Sequence, residues 1–279
     1  MCPYIYDGRY LRLPAYPIFY GIGLCLAGAI VVIILNESLR CKRVATMLLC
    51  LSVITLIGGR MFYYVIESSA EAGAWTGFWN FKAGGEALFG SLMLGVPAAF
   101  VLCKLMKVPF FEVCDAAAVG IPVGLVIGRI GCLCVGCCHG KVTGLPWGVR
   151  FPKHVDMNGV AQGSAAFLEQ LRRGLVVTTD SESLPVHPTQ VYEAFLCACI
   201  AIAIMLLKRR RLCTDYLLMV CIVLYVCGRF WLEFFRTEPK VIGWLTVYQV
   251  MCMCIAISAA GAVIVRSRAR NRLRKTPLA

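Results

Sequence analysis

Residues Pro17–Leu35, PIFYGIGLCLAGAIVVIIL, form an unbroken apolar run without a single charge. A helix of roughly 20 apolar residues spans the hydrocarbon core of a bilayer, so this run reads as a membrane span. Working outward, comparable stretches recur at about 45–66, 86–103, 113–135, 190–207, 214–235 and 243–265. The composition agrees. Of 279 residues, 59% are hydrophobic and 15% charged, and the mean hydropathy is +0.76. Soluble domains are about half apolar and a quarter charged, so an ordinary soluble domain, a coiled coil and a disordered chain are excluded. The expected fold class is an all-α polytopic membrane protein of about seven transmembrane helices with a small outward-facing cap. The expected organisation is one membrane domain over 1–279.

Charge sets the expected orientation. The chain carries a formal +13, and nearly all the short basic segments fall on one side of a seven-span topology. That side holds Arg40, Lys42, Arg43, Lys104, Lys107, the run Lys208–Arg211 and the tail from Arg266 to Lys275. The positive-inside rule then puts the N-terminus outside and the C-terminus in the cytoplasm. Residues 266–279 form a basic cytoplasmic tail suited to lipid headgroups, not a nucleic-acid arm. Arg9 and Arg12 do not directly precede a short apolar core with a cleavage site, so no cleaved signal peptide is expected. Residues 136–187 hold all three histidines, His139, His154 and His187. They form the expected extracytoplasmic cap between spans four and five.

Charged groups at membrane depth each cost about 2.5–3.5 kcal/mol on insertion scales and so mark function or pairing. This chain places Arg60, Glu86, Arg129, Glu193, Arg229, Glu233 and Arg236 there. Arg229, Glu233 and Arg236 follow i, i+4, i+7 and share one helical face. One reading is an internal ion pair that only joins helices. The other is a buried cationic site, because three arginines face two nearby acids. The arginine fork matches phosphate oxygens, and the nearest anion is a phospholipid headgroup. Gly120, Gly124 and Gly128, four apart, make a face for close helix packing; Gly128 and Gly131 also flank Arg129 and leave room for a ligand. In HPTQVYE (His187–Glu193), Gln190 and Glu193 share a face at a helix start, with His187 at the rim.

The run CLCVGCCHGK (Cys132–Lys141) admits three readings. Zinc sites usually pair two C-x2-4-C units or add distant histidines; the cap offers no second cysteine pair, so no metal is expected. An outward disulfide or redox pair is the second reading. Small residues lining a packed turn are the third. The other thirteen of the 17 cysteines are scattered, many inside spans as small hydrophobes.

Several of these stretches together resemble the prolipoprotein diacylglyceryl transferases, from about Tyr20 to Arg236. They are IFYGIG around Tyr20, GGRMFYYV (Gly58–Val65), GRIGCLCVGCCHGKVTGLPWGVRFP (Gly128–Pro152), HPTQVYE, and GRFWLEFFR (Gly228–Arg236). The resemblance implies a multi-pass enzyme of the bacterial inner membrane. It would move a diacylglyceryl group from phosphatidylglycerol to the lipobox cysteine thiol of secreted preprolipoproteins. A thioether forms and glycerol phosphate leaves; no cofactor is implied. Partners would be the lipid, the preprolipoprotein and the bilayer, with no nucleic acid. By resemblance Arg129 binds phosphatidylglycerol, Arg229 serves activity, Tyr20 is the first-span tyrosine, and Gly136 and Gly140 shape the signature turn. Arg60, His187, Glu193 and Arg236 complete the expected lipid-binding set.

The departures from the family pattern are specific. Phe89 stands in the place of a histidine that is a candidate thiol base, and Ser91 in a glycine's place. Cys132 and Val135 replace two asparagines, and Cys137 a glutamate. His139 is therefore the first replacement base, followed by His187 and Glu193. Two alternatives stay open from the sequence. One is a non-catalytic or different-acceptor phospholipid-binding paralogue. The other is a membrane thiol, metal or redox protein using Cys132–His139.

Overall fold

The computed structural model describes residues 4–7, 12–35, 41–64, 88–153, 164–236, 240–246, 248–259 and 261. His154, Glu86 and the basic tail lie outside these residues, as does the side chain of Phe89. The elements in order are β1 (Tyr4–Asp7), β2 (Arg12–Pro14), α1 (Ala15–Leu35), α2 (Cys41–Phe62), α3 (Leu88–Leu105) and α4 (Phe110–Val135). There follow α5 (Ala165–Arg172), α6 (Thr189–Arg209), α7 (Leu217–Leu232), a 3-10 turn (Glu233–Phe235), β3 (Lys240–Ile242) and β4 (Leu245–Thr246). A helix α8 covers Tyr248–Ala259. Among the described residues, the strands make two antiparallel hairpins, β1–β2 and β3–β4.

Among the described residues, five helices are long and apolar enough to cross a membrane: α1, α2, α4, α6 and Leu217–Phe235. Two shorter apolar helical segments, Met93–Leu105 and α8, fall where further spans are expected. Large apolar side chains such as Ile33, Leu49, Phe195 and Ile257 point outward. In water this would be a liability; in lipid the hydrocarbon is their solvent.

The chain divides into two compact units, Gly28–Ala116 and Met1–Ala27 with Ala117–Ala279. In the first, α2 and α3 pack through glycines. A Cβ on Gly58 would lie 2.6 Å from the Gly90 carbonyl oxygen, and one on Gly95 would lie 2.6 Å from the Thr55 methyl. Small residues let helix backbones meet where no hydrophobic force distinguishes neighbour from lipid. Ser91 donates to the Thr55 carbonyl at 2.9 Å, a bond a glycine could not make. Arg60 is buried in this unit, its guanidinium 5.5 Å from the Tyr64 ring centroid.

In the second unit the α4 glycines meet α1. A Cβ on Gly120 would lie 2.6 Å from the Ala27 carbonyl oxygen, and one on Gly124 2.7 Å from that of Gly23. Gly131 abuts Tyr16 and Phe19, whereas Gly128 faces open space. A groove of about 190 Å³ runs here, lined by Tyr20, Leu24, Ile121, Leu125 and Gly128 among others. The cap is seated on the end of α4. Phe151, fully buried with Ala166 and Val186, lies under Gly136. At Gly136 φ is +75° and a Cβ would lie 2.6 Å from the Phe151 ring, so glycine is required twice over. Helix α5 was not anticipated from the sequence; Ser164 caps it, its hydroxyl accepting from the Phe167 amide.

Candidate active site

The end of α4, the start of α6 and the end of α7 meet under the cap, and the intramembrane charges of this unit gather there. Arg129 lies six residues before the end of α4, roughly 9 Å down the helix. Its Nη2 donates to Glu193 Oε1 of α6 at 2.5 Å. Tyr225 of α7 donates its hydroxyl to the same oxygen at 2.7 Å. Three helices are thus tied at one carboxylate. A second knot forms on the α7 face predicted from i, i+4, i+7. Arg229 Nη1 is 2.5 Å from Glu233 Oε2, and Arg236 Nε is 4.0 Å from it. Thr246 of β4 donates to Glu233 Oε1 at 3.2 Å, and Arg229 lies 5.8 Å from the Tyr248 ring centroid.

The exposures are asymmetric. The side chains of Glu193 and Glu233 are 3% and 1% exposed, those of Arg129, Arg229 and Arg236 18%, 12% and 13%. The acids sit behind and the guanidinium groups in front. The Arg229–Glu233 and Glu233–Arg236 pairs read from the sequence are therefore present.

The Cys132–Lys141 turn is strapped to both neighbours. Thr189 Oγ1 donates to the Cys138 carbonyl and Gln190 Nε2 to the Cys137 carbonyl, each at 2.6 Å. The Gly140 amide donates to the His187 carbonyl at 2.9 Å and the Lys141 amide to that of Phe235 at 2.7 Å. A Cβ on Gly140 would lie 2.6 Å from the Phe235 carbonyl oxygen and 2.7 Å from His187 Cβ. Gly136 and Gly140 therefore serve the turn by absence of bulk. The turn brings the sulfurs of Cys132, Cys137 and Cys138 within 4.8 Å of one another. Arg129 Nη1 is 3.9 Å from Cys132 Sγ. The thiols of Cys132 and Cys137 donate to Cys138, and with help from Arg236 and Arg129 they hold its pKa far below the ordinary thiol range. Cys137 moves the other way, because its hydrogen bonds to Cys132 and Cys138 and its burial favour the protonated form.

A family profile described as prolipoprotein diacylglyceryl transferase matches residues 4–265. The chain belongs to the prolipoprotein diacylglyceryl transferase family. A phosphatidylglycerol–prolipoprotein diacylglyceryl transferase of Clostridioides difficile strain 630 is 28% identical over 209 residues, 75% of this chain and 71% of its own length. One from Clostridium kluyveri is 24% identical over 259 residues, covering 91% of this chain and 94% of the relative. One from Wolbachia pipientis of Culex pipiens is 27% identical over 270 residues, covering 92% and 90%.

The remaining expected residues of this diacylglyceryl transferase family member fall in different places. Tyr20 is half exposed on α1 beside the α1–α4 groove and stacks on Tyr16 at 6.0 Å. His139 is buried, with Nδ1 3.0 Å from the Gly140 carbonyl oxygen and Nε2 3.0 Å from Glu169 Oε2 of α5. Both ring nitrogens are engaged. His187 is half-buried, Nδ1 3.3 Å from the Tyr192 hydroxyl and its ring against Phe235. Trp147 of the cap donates to the same hydroxyl at 2.9 Å. Arg60 belongs to the other unit. Tyr225 and Thr246 are site residues the sequence reading missed. Tyr225 had a signal: it precedes Arg229 and Glu233 by one and two turns on the same face of an apolar helix.

Proposed function

We propose that this transferase moves the diacylglyceryl group of phosphatidylglycerol to the lipobox cysteine thiol of prolipoproteins, forming a thioether and releasing glycerol phosphate. One observation carries the reading to the chemistry: guanidinium groups that keep part of their surface, backed by buried carboxylates, at the cap end of helices whose flanks expose large apolar side chains. The lipid phosphate docks on the forks of Arg129, Arg229 and Arg236. Its acyl chains lie along apolar grooves, such as that beside Tyr20 and the one between α7 and α8 lined by Phe230, Trp231 and Met253.

The acceptor thiolate attacks the glycerol carbon, its C–O bond to phosphate breaks, and the phosphate leaves with the electron pair. Charge grows on that phosphate as the bond breaks. Each arginine aimed there is worth about 10²–10³ in rate. Glu193, with Tyr225, fixes the Arg129 fork. The thiol proton passes to His187, the imidazole of this end with an exposed edge, oriented by Tyr192. His139, engaged at both nitrogens, ties the turn to the cap. Gly136 and Gly140 keep the turn narrow.

In the same reading the chain crosses the bacterial inner membrane about seven times as one membrane domain, Met93–Leu105 and α8 contributing to the shorter crossings. The N-terminus is outside and the C-terminus cytoplasmic. Residues 136–187 form the extracytoplasmic cap, and residues 266–279 the basic tail. The test is rescue of a transferase-depleted bacterium. Restored growth and lipoprotein lipidation are expected; a membrane-inserted chain at normal abundance that restores neither overturns the reading.

A further inference from the structure

We infer that Cys132, Cys137 and Cys138 bind one thiophilic divalent ion of the zinc class, with a fourth position open to the acceptor's cysteine thiol. The occupant of that fourth position rests on the function proposed above; the metal site itself does not. The three sulfurs lie within 4.8 Å of one another. With Zn–S bonds of about 2.3 Å, tetrahedral sulfurs sit about 3.8 Å apart, so the cluster need draw in by roughly 1 Å at most. Such convergence is not a default of the chain. Adjacent side chains usually diverge, and here Cys138 takes a φ of 57° while Gly136 takes 75°. The turn is then fixed by the 2.6 Å bonds from Gln190 and Thr189. The ligand set is in place before any ion arrives.

A second observation points to a ligand. Gln190 is 1% exposed, and its Oε1 has no hydrogen-bond partner among the described residues. The same amide donates to the Cys137 carbonyl. A buried acceptor without a donor is costly, and a water or other donor brought in with a bound ion would supply one. The sequence raised a metal at this run but set it aside for want of a second cysteine pair; the fold instead converges Cys132 from the helix end on the adjacent Cys137 and Cys138.

Three protein ligands are the number that matters. Structural zinc is closed by four, whereas a catalytic ion keeps an open position. His139 cannot close the site from the turn, since Glu169 and the Gly140 carbonyl hold its nitrogens. Three thiolates and a divalent ion carry a net single negative charge, and Arg129 and Arg236 provide matching positive potential. A thiol that coordinates such an ion is deprotonated outright. The step then balances without redox change. The proton leaves to His187 or water, sulfur bonds to the glycerol carbon, and the carbon–oxygen bond breaks. Glycerol phosphate departs with the electron pair. The thioether product is a weak ligand and dissociates, reopening the position.

The test uses full-length protein in detergent, reduced and metal-free, titrated with cobalt(II) as a spectroscopic stand-in. One equivalent should bind with a thiolate-to-cobalt charge-transfer band. Cys132→Ser and Cys138→Ser should each lose the band while eluting and unfolding like wild type, and Cys134→Ser should keep it. A lipobox peptide should raise the band by about a third, as three thiolates become four, and its Cys→Ser form should not. The inference is overturned if reduced wild type binds no cobalt, if the serine variants bind it normally, if freshly purified protein holds a disulfide within the triad, or if the peptide leaves the band unchanged. A cobalt signature in a protein with no transfer activity would sink the proposed function and leave the metal site standing.

Discussion

Arg129 and Glu193, sixty-four positions apart, meet at 2.5 Å, and the arginine retains the greater exposure. The glutamate does not cancel the arginine; it aims it. An isolated guanidinium in this apolar surround would be costly and mobile, whereas one anchored through Nη2 is held in place, and in the proposed mechanism it is aimed at the lipid phosphate. Glu193→Gln should therefore lower transfer while leaving the lipid contact partly intact. About a tenfold loss in kcat/KM is expected, with Arg129→Lys losing more because an ammonium cannot bridge both partners. Steady-state kinetics with phosphatidylglycerol vesicles and a lipobox peptide would check both.

Tyr225 completes that junction from α7. Tyr225→Phe removes one hydrogen bond to a buried carboxylate and keeps the ring. Stability should fall by about 1–2 kcal/mol and transfer modestly. Thermal unfolding in detergent reads the first and the peptide assay the second; an unchanged unfolding midpoint would contradict the bond's importance.

The glycines give a sharper contrast. Gly140→Ala drives a methyl group against the Phe235 carbonyl oxygen and His187 Cβ, so it should destabilise by about 1–3 kcal/mol and displace the cysteine turn. Gly128→Ala meets nothing within 4 Å and replaces a helical glycine, so stability should rise by about 0.5–1 kcal/mol. Side-by-side unfolding curves decide. Equal effects would mean the turn is looser than described.

His139 and Glu169 test the assignment of roles. A double-mutant cycle with His139→Gln and Glu169→Gln should return a coupling of about 0.5–3 kcal/mol in stability. Transfer by His139→Gln should track the folded fraction. A loss of turnover far beyond the loss of folded protein would return the proton-transfer role to His139.

Much of this was readable from one chain, and the failures have physical causes. The apolar runs gave the helices to within a few residues, because bilayer thickness fixes their length: 17–35 became Ala15–Leu35, and 190–207 became Thr189–Arg209. The run at 243–265 instead begins with a hairpin, and its described helix is only Tyr248–Ala259. The Arg229–Glu233–Arg236 face was legible because helical periodicity is local. The Arg129–Glu193 pair was not, since nothing local couples α4 to α6. The glycine face of α4 was anticipated, but that α1 packs on it, and that Gly128 is left open, depends on which residues lie opposite. The cysteine triad depends on two left-handed backbone positions that a motif does not display.

In the proposed mechanism, guanidinium groups at the cap end drive thioether formation from a phospholipid. The most direct measurement is mass spectrometry of a lipobox peptide after incubation with the purified chain in phosphatidylglycerol vesicles, for wild type, Arg129→Ala and Arg229→Ala. Wild type should add one diacylglyceryl group to the cysteine, and each variant, folded and membrane-inserted, should be at least about 100-fold slower. A folded wild type that yields no thioether, or variants that work at its rate, would contradict the proposed function.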